Sequence, residues 1–344
     1  MRAPVVVQTG PVVIRVRVRA VLGVSALVVA CALVAALGVV TGDYPDTVAG
    51  SFAALLGSAD DPLASVFVVD VRLPRIVAAA AVGAALGMSG AVFQVVSGNP
   101  LGSPDITGFT AGSATGALVA IIVFGGSPTT VASGAVAGGV AVAVLIYLLA
   151  RRGGVTGHRI VLVGVGVGAA LAAVNSMLLV RASLGAAQTA AQWLAGSLNG
   201  MTWDRVWPTL LGVGALIPVA FALSRSLSLL SMGDDIATGL GGRPARTRVG
   251  AIAVAVGLVS IACAAAGPVA FVALAAPQLA ARLVRTTGAG LTGAAAMGAL
   301  LVLAGDRIAQ DLLSPVQLPV GVVTGSVGGL YLAWLLARQR RVRR

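Results

Sequence analysis

Few side chains in this sequence are of types suited to catalysis or metal binding, and they are widely spaced. The chain contains one histidine, His158, and two cysteines, Cys31 and Cys263, which each lie within an apolar run. This spacing is not that of a metal or redox site, so we expect two free thiols, no metal centre and no cofactor. Because the sequence contains no lysine, it also lacks the Gly-x-x-x-x-Gly-Lys pattern of a P-loop. We therefore expect no ATPase site in this chain.

Three polar side chains inside apolar runs are the remaining candidates for chemistry: Ser89, Asn175 and Ser176. An intramembrane enzyme acting on lipid or peptide needs a nucleophile, a base and an oxyanion site together at membrane depth, and the sequence shows no such set. Isolated polar residues in membrane bundles more commonly form hydrogen bonds between helices. We therefore predict no catalytic residues, and we keep an intramembrane enzyme as the alternative from a different functional class.

The composition indicates that the whole chain is embedded in a membrane. Of its 344 residues, 58% are hydrophobic and 10% are charged, and the mean hydropathy is +1.00. Apolar runs of roughly 17–25 residues recur along the chain, which is the length that an α-helix needs to cross a bilayer. The net charge of +12 comes from arginine clusters between these runs, a pattern typical of membrane topology rather than of nucleic-acid binding. We predict an all-α polytopic membrane protein with one domain, residues 1–344.

Ten membrane-spanning helices account best for the charges between the apolar runs. The predicted spans are residues 20–40, 76–96, 106–124, 131–150, 160–180, 206–223, 249–265, 269–283, 291–304 and 320–337. With both termini in the cytoplasm, the inside segments hold 18 of the 23 arginines, and eight of the eleven aspartates lie outside. This distribution follows the positive-inside bias of the cytoplasmic membrane. All aspartates then fall in loops or at helix ends, which disfavours a proton- or sodium-coupled carrier.

The segments between the spans are short and have distinct compositions. Predicted inside segments include an N-terminal arm at 1–19, a long segment at 224–248 and a basic tail at 338–344, and predicted outside segments include 41–70, 181–204 and 306–319. The spacing of apolar residues in 224–248 predicts one or two amphipathic helices at the membrane surface. The inside loop 98–105 contains two prolines, which each remove a backbone donor, so the preceding helix must end there.

Several motifs in fixed order link this chain to a known family. They are Arg72-Leu-Pro-Arg75, Gly83-Ala-Ala-Leu-Gly87, Ser89-Gly90, Gln94, Asn99-Pro-Leu101, Gly267-Pro-Val-Ala-Phe271 and Leu318-Pro-Val-Gly-Val-Val-Thr324. From about residue 72 onward the chain resembles the permease family of iron-siderophore, haem and cobalamin ABC importers. The segments 102–109, 276–278 and 329–334 are most similar to its ferric enterobactin permeases. The resemblance implies a type II importer fold and import of a ferric siderophore, with haem or cobalamin as alternative substrates.

The resemblance also implies functional residues at both ends of the bundle. In the cobalamin member, residues matching Asn99 and Leu101 form a cytoplasmic gate, and Gly157 and His158 occupy the place of a second gate built there from small hydroxyl residues. The two arginines of the Arg-Leu-Pro-Arg motif pair with acids of the substrate-binding protein, which suggests Arg72 and Arg75 for docking. Relatives carry a third docking arginine where this chain has Gln310, and we offer Arg307 in its place.

The segment 224–248 is similar to the coupling helices that contact the ATPase subunits in this family. Its Ala237, Leu240 and Gly241 match the Ala-x-x-Leu-Gly core of those helices. The candidates for lining the pathway are Ser89, Gln94, Asn175 and Ser176. The implied partners are a second permease, identical or homologous, two ATP-binding subunits and an extracytoplasmic siderophore-binding protein. This chain would also contact the ferric siderophore and membrane lipid, with no role for nucleic acid.

Overall fold

The structure is a computed structural model that describes residues 5–9, 12–16, 18–42, 44, 47–58, 61–151, 156–284, 290–313 and 316–342. For residues 5–9, 12–16, 332 and 334–342 it describes the backbone alone. Within these ranges the chain is helical apart from a short antiparallel hairpin, β1 (Val5–Thr9) and β2 (Val12–Val16), ahead of the first span. Several predicted inside and outside charges lie outside the described residues, among them Asp43, Asp46, Asp60, Arg152 and Arg285.

Ten helices of the described chain form the body of the bundle. They are α1 (Val18–Val40), α4 (Leu73–Ser97), α5 (Phe109–Ile122), α6 (Pro128–Ala150), α7 (Gly157–Arg181), α9 (Trp203–Ala222), α12 (Pro244–Ala266), α13 (Val272–Val284), α14 (Leu291–Asp311) and α15 (Val320–Val342). Seven are long and apolar enough to cross a membrane, and α5, α13 and the apolar part of α15 are shorter. The predicted all-α membrane protein with about ten spans is confirmed.

Five short helices connect these spans at the two ends of the bundle. They are α2 (Val48–Leu55), α3 (Pro62–Ser65), α8 (Leu184–Leu194), α10 (Ser224–Leu230) and α11 (Asp234–Gly239). The last two confirm the prediction of short helices in the segment 224–248. The helix α8 was not predicted and occupies part of the expected outside segment 181–204, where its alanine-rich sequence supports a helix that is too short to span a bilayer.

The start of the second span differs from the prediction. The helix α3 continues through a π-helical segment, Val66–Arg72, directly into α4, so the Arg72-Leu-Pro-Arg75 motif lies inside a continuous helix rather than at its beginning. Pro74 lies in the first turn of α4, where the hydrogen-bond register changes from π to α and a missing backbone donor is tolerated.

The end of the ninth span also differs from the prediction. We expected residues 306–319 to form an outside segment, but α14 continues as far as Asp311. Asp306 therefore lies inside a helix and is only 4% exposed. The expectation that every aspartate falls in a loop or at a helix end is wrong at Asp306, where an arginine on α4 neutralises the carboxylate, and at Asp70, which lies in the π-helical segment. Similarly, the backbone of α15 remains helical through most of the predicted tail 338–344.

The helix α4 forms the centre of the bundle and packs against α9, α12, α13 and α14. Small residues on α4 let neighbouring backbones approach closely, as in other membrane bundles. A Cβ atom at Gly83 would overlap the carbonyl oxygen of Gly298 on α14, and one at Gly90 would overlap that of Ala273 on α13. These close approaches are the reason that α4 tolerates no larger side chain on two of its faces.

The helix pair α5–α6 forms a second closely packed unit. Gly112 and Gly116 face Gly138 and Gly134 across this pair, and their four-residue spacing places both on one face of α5. Gly108 lies four residues before Gly112 and falls within the predicted span 106–124, but α5 begins only at Phe109. Gly108 instead has a φ of 78° and lies against the backbone of α7, so the left-handed turn places it on a different neighbour.

Candidate functional site

The predicted gate loop begins where α4 ends. Gly98 closes the helix in the left-handed conformation, and the Asn99 side-chain oxygen accepts a hydrogen bond of 2.9 Å from the Leu101 N–H. Gln278 on α13 donates a hydrogen bond of 2.6 Å to the Pro100 carbonyl. The side chains of Asn99 and Leu101 remain exposed, so the loop is held by its backbone while its side chains stay available for contacts with other groups.

The second predicted gate position lies next to the same helix end. Gly157 is the first residue of α7, and a Cβ atom there would overlap the carbonyl oxygen of Val96 on α4. His158 follows in the first turn and is exposed. The structure therefore brings both predicted gate positions to one end of the bundle. The close approach of α7 to the Val96 carbonyl requires glycine at position 157.

The predicted coupling segment lies at that end as well. Ala237 is buried, whereas Leu240 and Gly241 are exposed. Arg248 at the start of α12 donates hydrogen bonds of 2.6 and 2.8 Å to the two carboxylate oxygens of Asp234, which fixes α11 to the bundle. This hydrogen bonding holds the pKa of Asp234 below its usual value.

A cavity of about 270 Å³ joins the gate positions to the coupling segment. Its walls include Gly98 at the end of α4, His158 at the start of α7 and the Asp234–Arg248 pair. The cavity therefore brings Asp234 of α11 close to His158 at the second predicted gate and to Gly98, the residue before Asn99, whereas Asn99 and Leu101 do not line it.

The four candidates for lining the pathway are not brought together. Ser89 donates a hydrogen bond of 2.7 Å to the Ala255 carbonyl on α12, and Gln94 donates one of 3.1 Å to the Leu274 carbonyl on α13. Both side chains therefore join helices within the bundle. Asn175 and Ser176 lie on α7, where the Ser176 hydroxyl donates to the Ala172 carbonyl of its own helix.

Asn175 differs from the other three candidates in its hydrogen bonding. Its side-chain oxygen Oδ1 is buried and has no hydrogen-bond partner within the described part of the chain. Most of the surrounding α7 surface is exposed, with only Gly157, Ile160 and Gly164 buried among its 25 residues. An unsatisfied amide oxygen on an exposed helix indicates a surface that another molecule can complete.

The predicted docking arginines lie together at the opposite end. Arg72 donates hydrogen bonds to the carbonyls of Val39 and Tyr44, at 2.7 and 2.5 Å. Arg307 pairs with Asp311 at 2.5 Å and donates a 3.4 Å hydrogen bond to the Thr41 carbonyl. Both guanidinium groups are therefore anchored close to the segment that follows α1.

Arg75 is bound more extensively than the other two arginines. Its guanidinium forms two hydrogen bonds of 2.9 Å with the Asp306 carboxylate and one of 2.8 Å with the Gln317 side chain. Gln310, at the position where relatives carry the third docking arginine, also donates a 2.8 Å hydrogen bond to Asp306. Because Gln310 is neutral, Arg75 alone supplies the positive charge that the buried carboxylate requires.

Sequence reasoning missed two acids that organise these ends. Asp306 was placed outside the membrane, although apolar residues continue at helical spacing through Leu303 and Ala309 and could have indicated a longer α14. Asp105 was treated as part of a polar loop, but its carboxylate accepts hydrogen bonds from the Thr110 hydroxyl and from the Phe271 N–H. It therefore connects the gate loop to the break between α12 and α13.

Ten packed spans with ordered contacts at both ends define a polytopic membrane permease. Within the described residues, no group of three or more histidine, cysteine or acidic side chains is placed to hold a metal ion. The sequence pattern of the FecCD transport family matches residues 24–338, and the chain belongs to that family.

Relatives and a solved structure agree with this assignment. The chain is 46% identical to the ferric enterobactin transport system permease protein of Escherichia coli (strain K12), over 92% of this chain and 95% of the relative. It is 36% identical to the achromobactin transport system permease protein of Dickeya dadantii (strain 3937), over 80% of each. A structure described as an inward-facing conformation of a metal-chelate type ABC transporter superposes with a TM-score of 0.81 at 27% identity, covering 92% of this chain and 98% of that one.

Proposed function

We propose that this permease carries a ferric siderophore of the catecholate class across the cytoplasmic membrane, powered by ATP hydrolysis on separate subunits. The observation that carries this proposal is the single cavity shared by Gly98, His158 and the Asp234–Arg248 pair. Through this cavity, an ATP-driven movement of the coupling segment would reach Gly157 and His158 directly and the first predicted gate through Gly98, the residue before Asn99. The catecholate substrate is supported by the 46% identity to a ferric enterobactin permease.

The surface of the coupling segment suits contact with an ATPase subunit. Ile236 on α11 and Leu240 at its C-terminal cap are more than half exposed and lie four residues apart, and the equally exposed Met232 lies just before the helix. Large exposed apolar side chains at this spacing form a stripe that a groove on another protein can cover. Gly241 follows with a φ of 79° and open space around it, so a partner backbone can approach closely.

The second permease subunit is proposed to contact α7 and α15. The exposed face of α7 carries Gly166 and Ser176 among large apolar residues such as Leu162 and Met177, and the half-buried Asn175 has a side-chain oxygen without a partner in the described chain. Small and polar residues favour contact with another helix over contact with lipid. Gly329 on α15 likewise has open space around it.

The orientation of the chain in the membrane and the docking surface for the binding protein follow from the charge distribution. The arginine-rich termini and the coupling segment are proposed to face the cytoplasm, in agreement with the positive-inside bias. The opposite end, with Arg72 and Arg307, is then proposed to receive the acidic surface of a siderophore-binding protein. Arg75 is proposed to support this docking surface from beneath, because Asp306 and Gln317 already occupy its guanidinium.

The test is uptake of radiolabelled iron in cells that lack this gene and carry either the native chain or the variant Leu240→Asp. We expect the native chain to restore uptake of ferric enterobactin but not of a ferric hydroxamate. Leu240→Asp places a charge on the exposed coupling stripe and should abolish uptake without reducing the amount of protein in the membrane. Thr238→Asp, which adds the same charge at an exposed polar position two residues away, should retain most of the uptake.

Each outcome has a definite meaning. Restored uptake of haem or cobalamin instead of iron would replace the substrate and leave the permease assignment in place. An equal loss of iron uptake in Leu240→Asp and Thr238→Asp would contradict a specific role of the Leu240 side chain in contact with the ATPase subunit. Iron uptake by the purified chain in vesicles without ATP would contradict an ATP-driven mechanism.

A further inference from the structure

A large groove lies on α12 between α6 and α9. Both helices pack on α12 without packing extensively on each other, and α8 closes one end of the gap between them. The groove has a volume of about 1630 Å³ and contains none of the predicted gate, docking or coupling residues. Its size is above the range of about 300–1,000 Å³ that is typical of small-molecule pockets, which favours an occupant longer than a compact metabolite.

One end of the groove is polar and charged. Asp204 and Arg205 in the first turn of α9 both line it, together with Gln192 on α8. Both charged side chains are exposed, and in the described part of the chain neither forms an ion pair or a side-chain hydrogen bond. Pro208 also lines this end and cannot donate the helical hydrogen bond to the Asp204 carbonyl, which leaves a further acceptor.

The other end of the groove is apolar. It is lined by Val136, Val140 and Ala141 on α6 and by Ile261 on α12. These residues lie within membrane-spanning helices, so water is a poor occupant of this part of the groove.

The distance between the two ends corresponds to one leaflet of a bilayer. The lining residues of α6 extend from Pro128 to Ala141, which is about 20 Å along a helix axis. One leaflet with its headgroup region is about 20–22 Å thick. The polar end coincides with the first turns of both α6 and α9, and the groove therefore begins at the membrane surface and ends near its midplane.

We propose that this groove binds one phospholipid whose headgroup carries both a phosphate and an ammonium group. The phosphate contacts Arg205, the ammonium contacts the Asp204 carboxylate and the Asp204 carbonyl, and one acyl chain follows Val136 and Val140 to the midplane. A zwitterionic headgroup neutralises both unpaired charges at once. An anionic lipid, or an anionic iron chelate, would satisfy Arg205 and place a like charge beside Asp204.

The experiment uses photoactivatable phospholipids that carry a diazirine midway along one acyl chain. The full-length chain, purified with the subunits that accompany it, is reconstituted with traces of an ethanolamine-headgroup or a glycerol-headgroup lipid, irradiated and mapped by mass spectrometry. We expect labelling of α6 around residues 136–141 and of α12 around Ile261. The ethanolamine lipid should label these peptides several-fold more strongly than the glycerol lipid, relative to the lipid-exposed face of α1.

Variants separate the two headgroup contacts. Arg205→Gln should lower groove labelling by both lipids several-fold, whereas Asp204→Asn should remove only the preference for the ethanolamine lipid. Ala137→Phe fills the apolar end and should prevent labelling there. Arg181→Gln serves as the matched control, since Arg181 is exposed at the same side of the membrane but does not line the groove.

Three results would overturn the proposal. The first is labelling of α6 no stronger than that of α1, which would mean that the groove holds only bulk lipid. The second is equal labelling of the native chain by the ethanolamine-headgroup lipid and the glycerol-headgroup lipid. This comparison uses the native chain alone and does not depend on the folding of any variant. The third is loss of labelling when a ferric catecholate is added, which would assign the groove to the transported substrate.

Discussion

The helices α4 and α7 have the same length and are both rich in glycine, but they occupy opposite environments. In α4, 15 of the 25 residues are buried, and its glycines lie against backbone atoms of α13 and α14. In α7, three of the 25 residues are buried, and Gly166 has open space around it. The glycines of α4 therefore pack within the chain, whereas on α7 Gly157, Gly164 and Gly168 pack within the chain and Gly166 leaves an uncovered surface.

The difference indicates how the chain divides its two tasks. The polar groups of α4 are satisfied inside the molecule, as with Ser89 and Arg75, so α4 holds the bundle together. On α7 the Asn175 oxygen is left without a partner in the described chain, so its surface is suited to contacts made after folding. The same kind of substitution should therefore impair folding or stability on α4 and should affect mainly contacts with other subunits on α7.

The largest expected effect comes from replacing a glycine on α4. In Gly90→Leu even the Cβ atom would overlap the Ala273 carbonyl, and a shift of backbone is required to relieve it. We expect this variant to lose most of its folded yield in the membrane, as measured by detergent extraction and size-exclusion chromatography. At Gly166 on α7 an added Cβ atom meets nothing within 4 Å, so Gly166→Leu should be extracted like the native chain. Similar losses in both variants would contradict the division between the two helices.

The position of the spans was predictable because long apolar runs have few alternatives in a membrane. The close approach of Gly90 to Ala273 was not, because it depends on the relative position of two helices that are far apart in sequence. Likewise, no local pattern places Gly157 against Val96. The motif resemblance included Gly90 and Gly157 without placing them against a neighbour, and the three-dimensional packing explains why glycine is needed at both positions.

The charged network illustrates the limit of counting charges. Counting arginines and aspartates between the apolar runs gave a consistent topology, but it treated Asp306 as a group exposed to water. Its partner Arg75 is 231 residues away in sequence, so the neutralisation that allows Asp306 to be buried is visible only in the fold. The short helix α8 was missed for a different reason, since 11 residues with few large apolar side chains give a weak helical pattern.

An intermediate effect is expected when the charge of Arg75 is removed from α4. Arg75→Met leaves the buried Asp306 carboxylate without its counter-charge, and removal of one partner of a buried pair costs about 3–5 kcal/mol. We expect a clearly lower midpoint of thermal unfolding for the purified protein. Arg181→Met, at the exposed end of α7, should change stability by less than about 0.5 kcal/mol.

A second substitution separates stability from docking in this experiment. Arg75→Met/Asp306→Asn removes the uncompensated charge and should recover much of the lost stability. If the binding protein then docks with native affinity, Arg75 acts only as a support for the outer surface. If docking remains weak although the midpoint recovers, the Arg75 guanidinium itself contacts the binding protein, which would contradict the supporting role proposed above.

The smallest expected effect concerns the hydrogen-bonding side chains of the two helices. Ser89→Ala leaves the Ala255 carbonyl without its donor and should destabilise the chain by about 0.5–1.5 kcal/mol.

Asn175→Leu removes an amide whose oxygen has no partner within the described chain, so the thermal midpoint of the isolated chain should not fall. Its cost should appear instead in subunit association, at about 1–2 kcal/mol or roughly a tenfold weaker equilibrium constant. Energy transfer between labelled permeases in vesicles measures that constant. A lower midpoint for Asn175→Leu with unchanged association would show that α7 is completed from within the chain, and the contrast with α4 would then be one of degree only.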